Sequence, residues 1–137
     1  MYIVDTNIWL ELLLEQEKEA DVRQFFQSIN SPSLSITDFS LYSIGIILTK
    51  LKKYEVFEDF LSDTIEDSGV IRICLDTSDL KQMMTIQKRY QLDFDDCYQY
   101  IAAEKYDYTN ISFDRDFDRT ERGRKTPKEI LSENCDL

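Results

Sequence analysis

Short runs with β preference alternate with longer helical patterns along this chain, and almost nothing in it can turn a hairpin. Tyr2-Ile-Val4, Ser33-Leu-Ser-Ile36, Val70-Ile-Arg-Ile-Cys-Leu75 and Tyr108-Thr-Asn-Ile-Ser-Phe113 read as strands. Between them lie helical patterns too long for a tight connection. Strands joined by helices predict a parallel sheet covered on both faces, with right-handed crossovers. With 137 residues and no repeat, low-complexity linker or composition break, one domain over residues 1–137 is expected. The three glycines are scattered, so neither a GxGxxG dinucleotide loop nor a P-loop can form, and no nucleotide cofactor is expected.

The helices can be placed from their apolar spacing. Ile8 to Leu14 is densely apolar and predicts a helix buried on most sides, while Val22, Phe25, Phe26 and Ile29 fall at i, i+3, i+4 and i+7. Asn30-Ser31-Pro32 ends that second helix. Thr37 or Asp38 caps a long apolar helix through Leu51, in which Gly45 costs about 1 kcal/mol relative to alanine and so points to a close packing contact. Val56, Phe57, Phe60, Leu61 and Ile65 predict a further amphipathic helix, stopped at Ser68-Gly69. Asp76-Thr77-Ser78 opens a helix carrying Leu80, Met83, Met84 and Tyr90, with the methionine pair expected in the core. Asp93 to Asp96 opens another, running to about Tyr106, and Pro127 begins the last.

Charge and residue usage exclude several chemistries. There is no histidine, so Ser-His and Cys-His nucleophilic pairs and His-ligated zinc are ruled out. Cys74, Cys97 and Cys135 are odd in number and lack a CxxC pair, and they read as reduced, mostly packing thiols. The N-terminus shows no signal-peptide pattern and no stretch approaches a membrane span, so no membrane association and a cytoplasmic location are expected. The net charge of −11 disfavours generic binding to a phosphate backbone, so any nucleic-acid contact must be local and metal-assisted. Residues 111–128 carry a local +2, leaving −13 elsewhere. That acidic remainder suits a basic partner segment, although acidity also serves solubility.

Three acidic clusters occupy comparable places. Asp5 follows the first strand, Asp95-Asp96 opens a helix, and Asp114 with Asp116 follows the fourth strand. In open α/β sheets, ligands gather at the carboxyl ends of strands. Each acid has a plain structural explanation: Asp5, Thr6 or Asn7 can cap the helix that follows, Asp95 or Asp96 can cap its own, and Asp114 to Asp118 can form a solvated turn. Jointly, they point to a hard divalent cation, Mg²⁺ or Mn²⁺, because carboxylates brought together repel unless a cation neutralises them. Such an ion activates water for attack on phosphorus.

Tyr2-Ile-Val-Asp5-Thr-Asn7-Ile-Trp9, Asp96 with its helix through Ala102 and Ala103, and Ile111-Ser-Phe-Asp114-Arg-Asp116-Phe117 together resemble the PIN-domain nucleases, the family that includes VapC-type toxins. The resemblance implies a three-layer α/β/α sandwich with a mostly parallel sheet of four to five strands. It also implies metal-dependent hydrolysis of RNA, an endoribonuclease activity, and for toxin members an antitoxin partner and often a homodimer. Carried onto this chain, it makes Asp5, Asp96 and Asp114 the catalytic metal ligands, with Asp116 as a secondary carboxylate. Asn7 would orient Asp5, and Ser112 would hydrogen-bond a carboxylate. Asp95 and Asp38 are supporting candidates, and Arg115, Arg119 and Arg122 are RNA-contact candidates, with surface ion pairs the plainer fate of such bases. The family pattern departs at Ser40, where a Glu is expected. The alternative reading is therefore a catalytically impaired module that binds RNA or a protein. Asp38 lies two residues before Ser40, an offset that turns it to a different helix face, and Tyr42 is expected to pack.

Overall fold

The computed structural model describes residues 1–135, with side chains through Asn134. Four strands form one parallel sheet in the order β3-β2-β1-β4, comprising β1 (Tyr2–Val4), β2 (Leu34–Thr37), β3 (Ile71–Ile73) and β4 (Thr109–Ile111). β1 matches its β-prone run and β2 is shifted by one residue, whereas β3 and β4 are shorter than theirs, because pairing lasts only where neighbours overlap: Tyr2 to Val4 face Thr109 to Ile111, and Ser35 to Thr37 face Ile71 to Ile73. The fifth strand admitted by the resemblance is reduced to one bridge, in which Lys125 exchanges backbone bonds with Asn110 and Ser112 beside Ile111.

Helices α1 (Thr6–Leu13), α2 (Glu19–Ser28), α3 (Asp38–Lys50), α4 (Tyr54–Asp59) and α7 (Pro127–Cys135) build one core with Val4, Leu34, Ile36 and Ile111. Helices α5 (Thr77–Tyr90) and α6 (Phe94–Tyr106) build the other with Ile3 and Ile73. The result is an α/β/α sandwich. The first core is anchored by Trp9, whose indole N–H donates to Val4 O at 3.2 Å while its ring stacks on Phe26 and meets Phe60 edge-on. Only Ile8 and Trp9 of α1 are fully buried; Leu10, Leu12, Leu13 and Leu14 are half-buried against that core, short of the burial their density predicted. A Cβ on Gly45 would lie 2.8 Å from Phe57 Cζ, the close contact expected of that glycine.

Further details depart from the sequence expectations. Helix α4 does not continue regularly but widens into a π-helix over Phe60–Glu66. Val56, Phe60, Leu61 and Ile65 recur at i, i+4, i+5 and i+9, and a wider turn brings all four to the core. Met83 is buried but Met84 is exposed, because the apolar stripe of α5 spans only one of them. Tyr42 does not pack either: it is exposed, and its hydroxyl accepts a 2.8 Å bond from Arg72 on the edge strand. Cys97 is a buried thiol as expected, whereas Cys74 is exposed; the Cys135 side chain lies outside the described residues. Among the described residues, no helix is long and apolar enough to cross a membrane.

Candidate active site

The order of strand addition switches sides at β1, since β2 and β3 lie on one side of it and β4 on the other. Crevices form at such switch points. Here the crevice is a cleft of about 320 Å³ at the carboxyl ends of the strands. Its lining comprises the carboxylates of Asp5, Asp95, Asp96 and Asp114, the amide of Asn7, the hydroxyls of Thr6, Thr37, Ser40 and Ser43, and apolar Leu10, Phe39 and Ile47. Among the described residues, no basic side chain lines it.

Asp5 leaves β1 in extended conformation and serves as N-cap of α1, its Oδ1 accepting from Thr6 N at 2.8 Å. Its capping and site roles coexist, because Oδ2 is held separately by Ser112 Oγ at 2.7 Å and Asn7 Nδ2 at 3.4 Å. Ser112 Oγ also accepts from Asn7 Nδ2 at 3.2 Å and Asp114 N at 3.0 Å. Asn7 Oδ1 accepts from Phe113 N at 3.1 Å, completing a closed network between the ends of β1 and β4. Asp114 in turn caps a 3₁₀ turn over Arg115–Arg119, accepting from Asp116 N at 2.9 Å.

Asp96 projects from the first turn of α6 and is buried, while Asp95 beside it is exposed. Burial raises the Asp96 carboxyl to about 8, and the carboxylates of Asp114, Asp95 and Asp5 add to the effect. Burial likewise raises Asp5 to about 6, against the opposing hydrogen bonds from Ser112 and Thr6. Two acids that resist ionisation in one cleft mark an arrangement short of positive charge. Carboxylate oxygens of Asp96, Asp114 and Asp116 approach within 4.8 Å of one another, as do those of Asp93, Asp95 and Asp96. An all-oxygen set of this kind fits Mg²⁺ or Mn²⁺. Asp5 lines the same cleft but stands outside both of these tight groups.

The remaining sequence candidates divide. Asp38 does not join the cluster: Thr37 is the N-cap of α3, and the Asp38 carboxylate accepts from Phe39 N and the Tyr98 hydroxyl. Ser40 faces the cleft where the acid was expected and accepts a 2.8 Å bond from Thr6 Oγ1. Arg119 pairs with Asp116 at 3.0 Å and donates to the carbonyls of Tyr90 and Gln91. Arg122 pairs with Asp107 and lines a separate pocket of about 150 Å³ behind β4. Arg115 is exposed next to Asp114 and makes no ion pair among the described residues. Sequence reasoning missed Asp93, Thr6 and Ser43. Asp93 was signalled by its place in the acidic run, and Ser43 by its four-residue spacing from Phe39 on α3.

Solved structures of the same fold include a toxin-antitoxin complex from Klebsiella pneumoniae, 19% identical over 95% of this chain and 100% of that one, with a TM-score of 0.73. VapC20 of Mycobacterium tuberculosis, a sarcin-ricin loop cleaving toxin, is 15% identical over 86% of this chain and 93% of its own, with a TM-score of 0.74. FitAcB from Neisseria gonorrhoeae is 18% identical over 93% and 99%, with a TM-score of 0.72. No curated protein matches the sequence itself. The PIN domain family model matches residues 2–123, and the chain belongs to that family.

Proposed function

We propose that this protein is a metal-dependent endoribonuclease, acting in the cytoplasm as one domain and serving as the toxin of a toxin-antitoxin pair. The observation that carries the proposal is the meeting of Asp5, Asp95, Asp96 and Asp114 in one cleft of a PIN domain. The toxin role is supported by structural neighbours described as a toxin-antitoxin complex and a sarcin-ricin loop cleaving toxin. RNA as substrate, and a homodimer, follow from the family resemblance.

Asp96, Asp114 and Asp116 would hold Mg²⁺ or Mn²⁺, with Asp5 and Asp95 completing the negative lining. The ion would neutralise charge developing on the phosphodiester and polarise the attacking water. The chain's own residues do the positioning. Ser112 and Asn7 fix Asp5 Oδ2, Thr6 N fixes Oδ1, and Ser112 ties Asp114 to the same node.

RNA incubated with Mg²⁺ or Mn²⁺ should be cleaved, and the same RNA should survive with EDTA or with Asp5→Asn. Equal cleavage in all three conditions overturns the proposal. Ser40 favours one second reading, a module that binds RNA or a protein without cutting, since a hydroxyl stands where a carboxylate is expected. A folded protein that takes up no Mn²⁺ at millimolar concentration, followed by calorimetry, would establish that reading instead.

A further inference from the structure

The apolar lining of the cleft continues onto the surface through an ordered row of rings. Phe39 lines the cleft, lies 5.4 Å from Tyr98 in a stacked arrangement, and meets Phe94 at 5.9 Å with the planes 44° apart. The row is anchored at its inner end, where the Tyr98 hydroxyl donates to Asp38 and accepts from Leu75 N at 3.0 Å. Its outer end is open. Phe94 is 52% exposed, although burying a phenyl ring is worth about 1.5–3 kcal/mol. Phe94 and Tyr98 stand four residues apart on one face of α6, and Asp95 and Asp96 follow Phe94 directly. Phe94 is thus joined through Phe39 to the cleft that Asp95 and Asp96 also line.

Resting on the ribonuclease reading, we infer that Phe94, backed by Phe39, is a stacking platform for one unpaired nucleobase next to the phosphate that is cut. A base in a duplex already has both faces covered, so only an unstacked nucleotide can use the platform. Stacking of a base on an aromatic side chain is sequence-tolerant, so the platform selects for strand state rather than base identity. It also supplies attraction that the acidic surface does not.

The test uses the full chain carrying Asp5→Asn, so that RNA persists, and a fluorescein-labelled ten-nucleotide RNA in Mg²⁺ followed by anisotropy. A series of the same RNA carries one abasic residue at each successive position. Phe94→Ala in this background should weaken binding about tenfold. One abasic position should weaken the parent equally and leave the Phe94→Ala protein unaffected there, and Phe94→Trp should restore both affinity and abasic sensitivity. In the active protein, Phe94→Ala should raise KM with kcat retained. Circular dichroism melts confirm that each variant is folded. If the Asp5→Asn protein binds RNA with no effect of Phe94→Ala or of any abasic residue, the platform is overturned and the ribonuclease reading stands. If the folded protein binds no RNA, both fall. If Phe94→Ala changes the sedimenting mass and weakens binding irrespective of abasic position, Phe94 is a subunit contact and the platform is overturned.

Discussion

Thr6 Oγ1 donates a 2.8 Å hydrogen bond to Ser40 Oγ, joining α1 to the first turn of α3 at the edge of the cleft. Ser40 is 3% exposed, so any side chain there must meet Thr6 and the carboxylate lining. Ser40→Glu adds negative charge to the cleft and should raise Mn²⁺ affinity by about tenfold in calorimetric titration, since affinity follows ligand charge. The same variant should melt earlier without metal, because the new carboxylate joins others already in repulsion. Ser40→Ala should cost about 1 kcal/mol and leave Mn²⁺ affinity unchanged.

Metal-free stability should fall as pH rises. Asp5 and Asp96 are raised from 3.8 to about 6 and about 8, so the folded protein holds protons that the unfolded chain releases. Their favourable contribution is complete below about pH 4 and is lost progressively up to about pH 8. Melting curves should show a higher midpoint at pH 5 than at pH 8, and Asp96→Asn should flatten the difference. Added Mg²⁺ should raise the midpoint more at pH 8 than at pH 5, because protons compete for the same oxygens.

Ser112→Ala removes one hydroxyl with three partners, Asp5, Asn7 and Asp114 N. The buried groups left unpaired should cost about 1–3 kcal/mol in chemical denaturation. The turnover number should fall about 10- to 100-fold, as when carboxylate supports are lost at metal sites. An unchanged kcat would mean that Asp5 does not depend on this node.

The basic residues near the end of the chain should behave unequally. Arg115→Ala should raise KM for RNA severalfold and lessen its salt dependence, since that side chain stands free beside Asp114. Arg122→Ala should leave KM unchanged, because Arg122 is occupied by Asp107 and lines a different pocket. Kinetics at two salt concentrations separate them.

The candidate site was legible in the sequence where its signal was local. An acid directly after a β-prone run marks a strand end, and that pattern identified Asp5 and Asp114 without knowledge of which strands pair. Asp96 was picked out only through the family resemblance, since its own surroundings fit a helix cap equally well. Contacts between distant segments were not legible. Nothing near Thr6 announces Ser40, 34 residues away, and nothing near Arg122 announces Asp107. Nor does the pattern on α6 say whether Phe94 is core, since its exposure depends on where α3 comes to rest. The widened turn after α4 was hidden because i+4 spacing fits a regular helix and a wider one over so short a run.

β1 is assembled between β2 and β4, and β4 is separated from it by more than a hundred residues; the Ser112 to Asp5 bond alone spans 107. During synthesis the first strand therefore has one flank unfilled until nearly all the later helices have emerged. Contacts of such long sequence separation form late. The consequence is temporal: a nascent or prematurely terminated chain has helices and a partial sheet but no cleft, so cutting activity cannot precede completion of the sheet. A nuclease built in this way is inert while its own message is still being read.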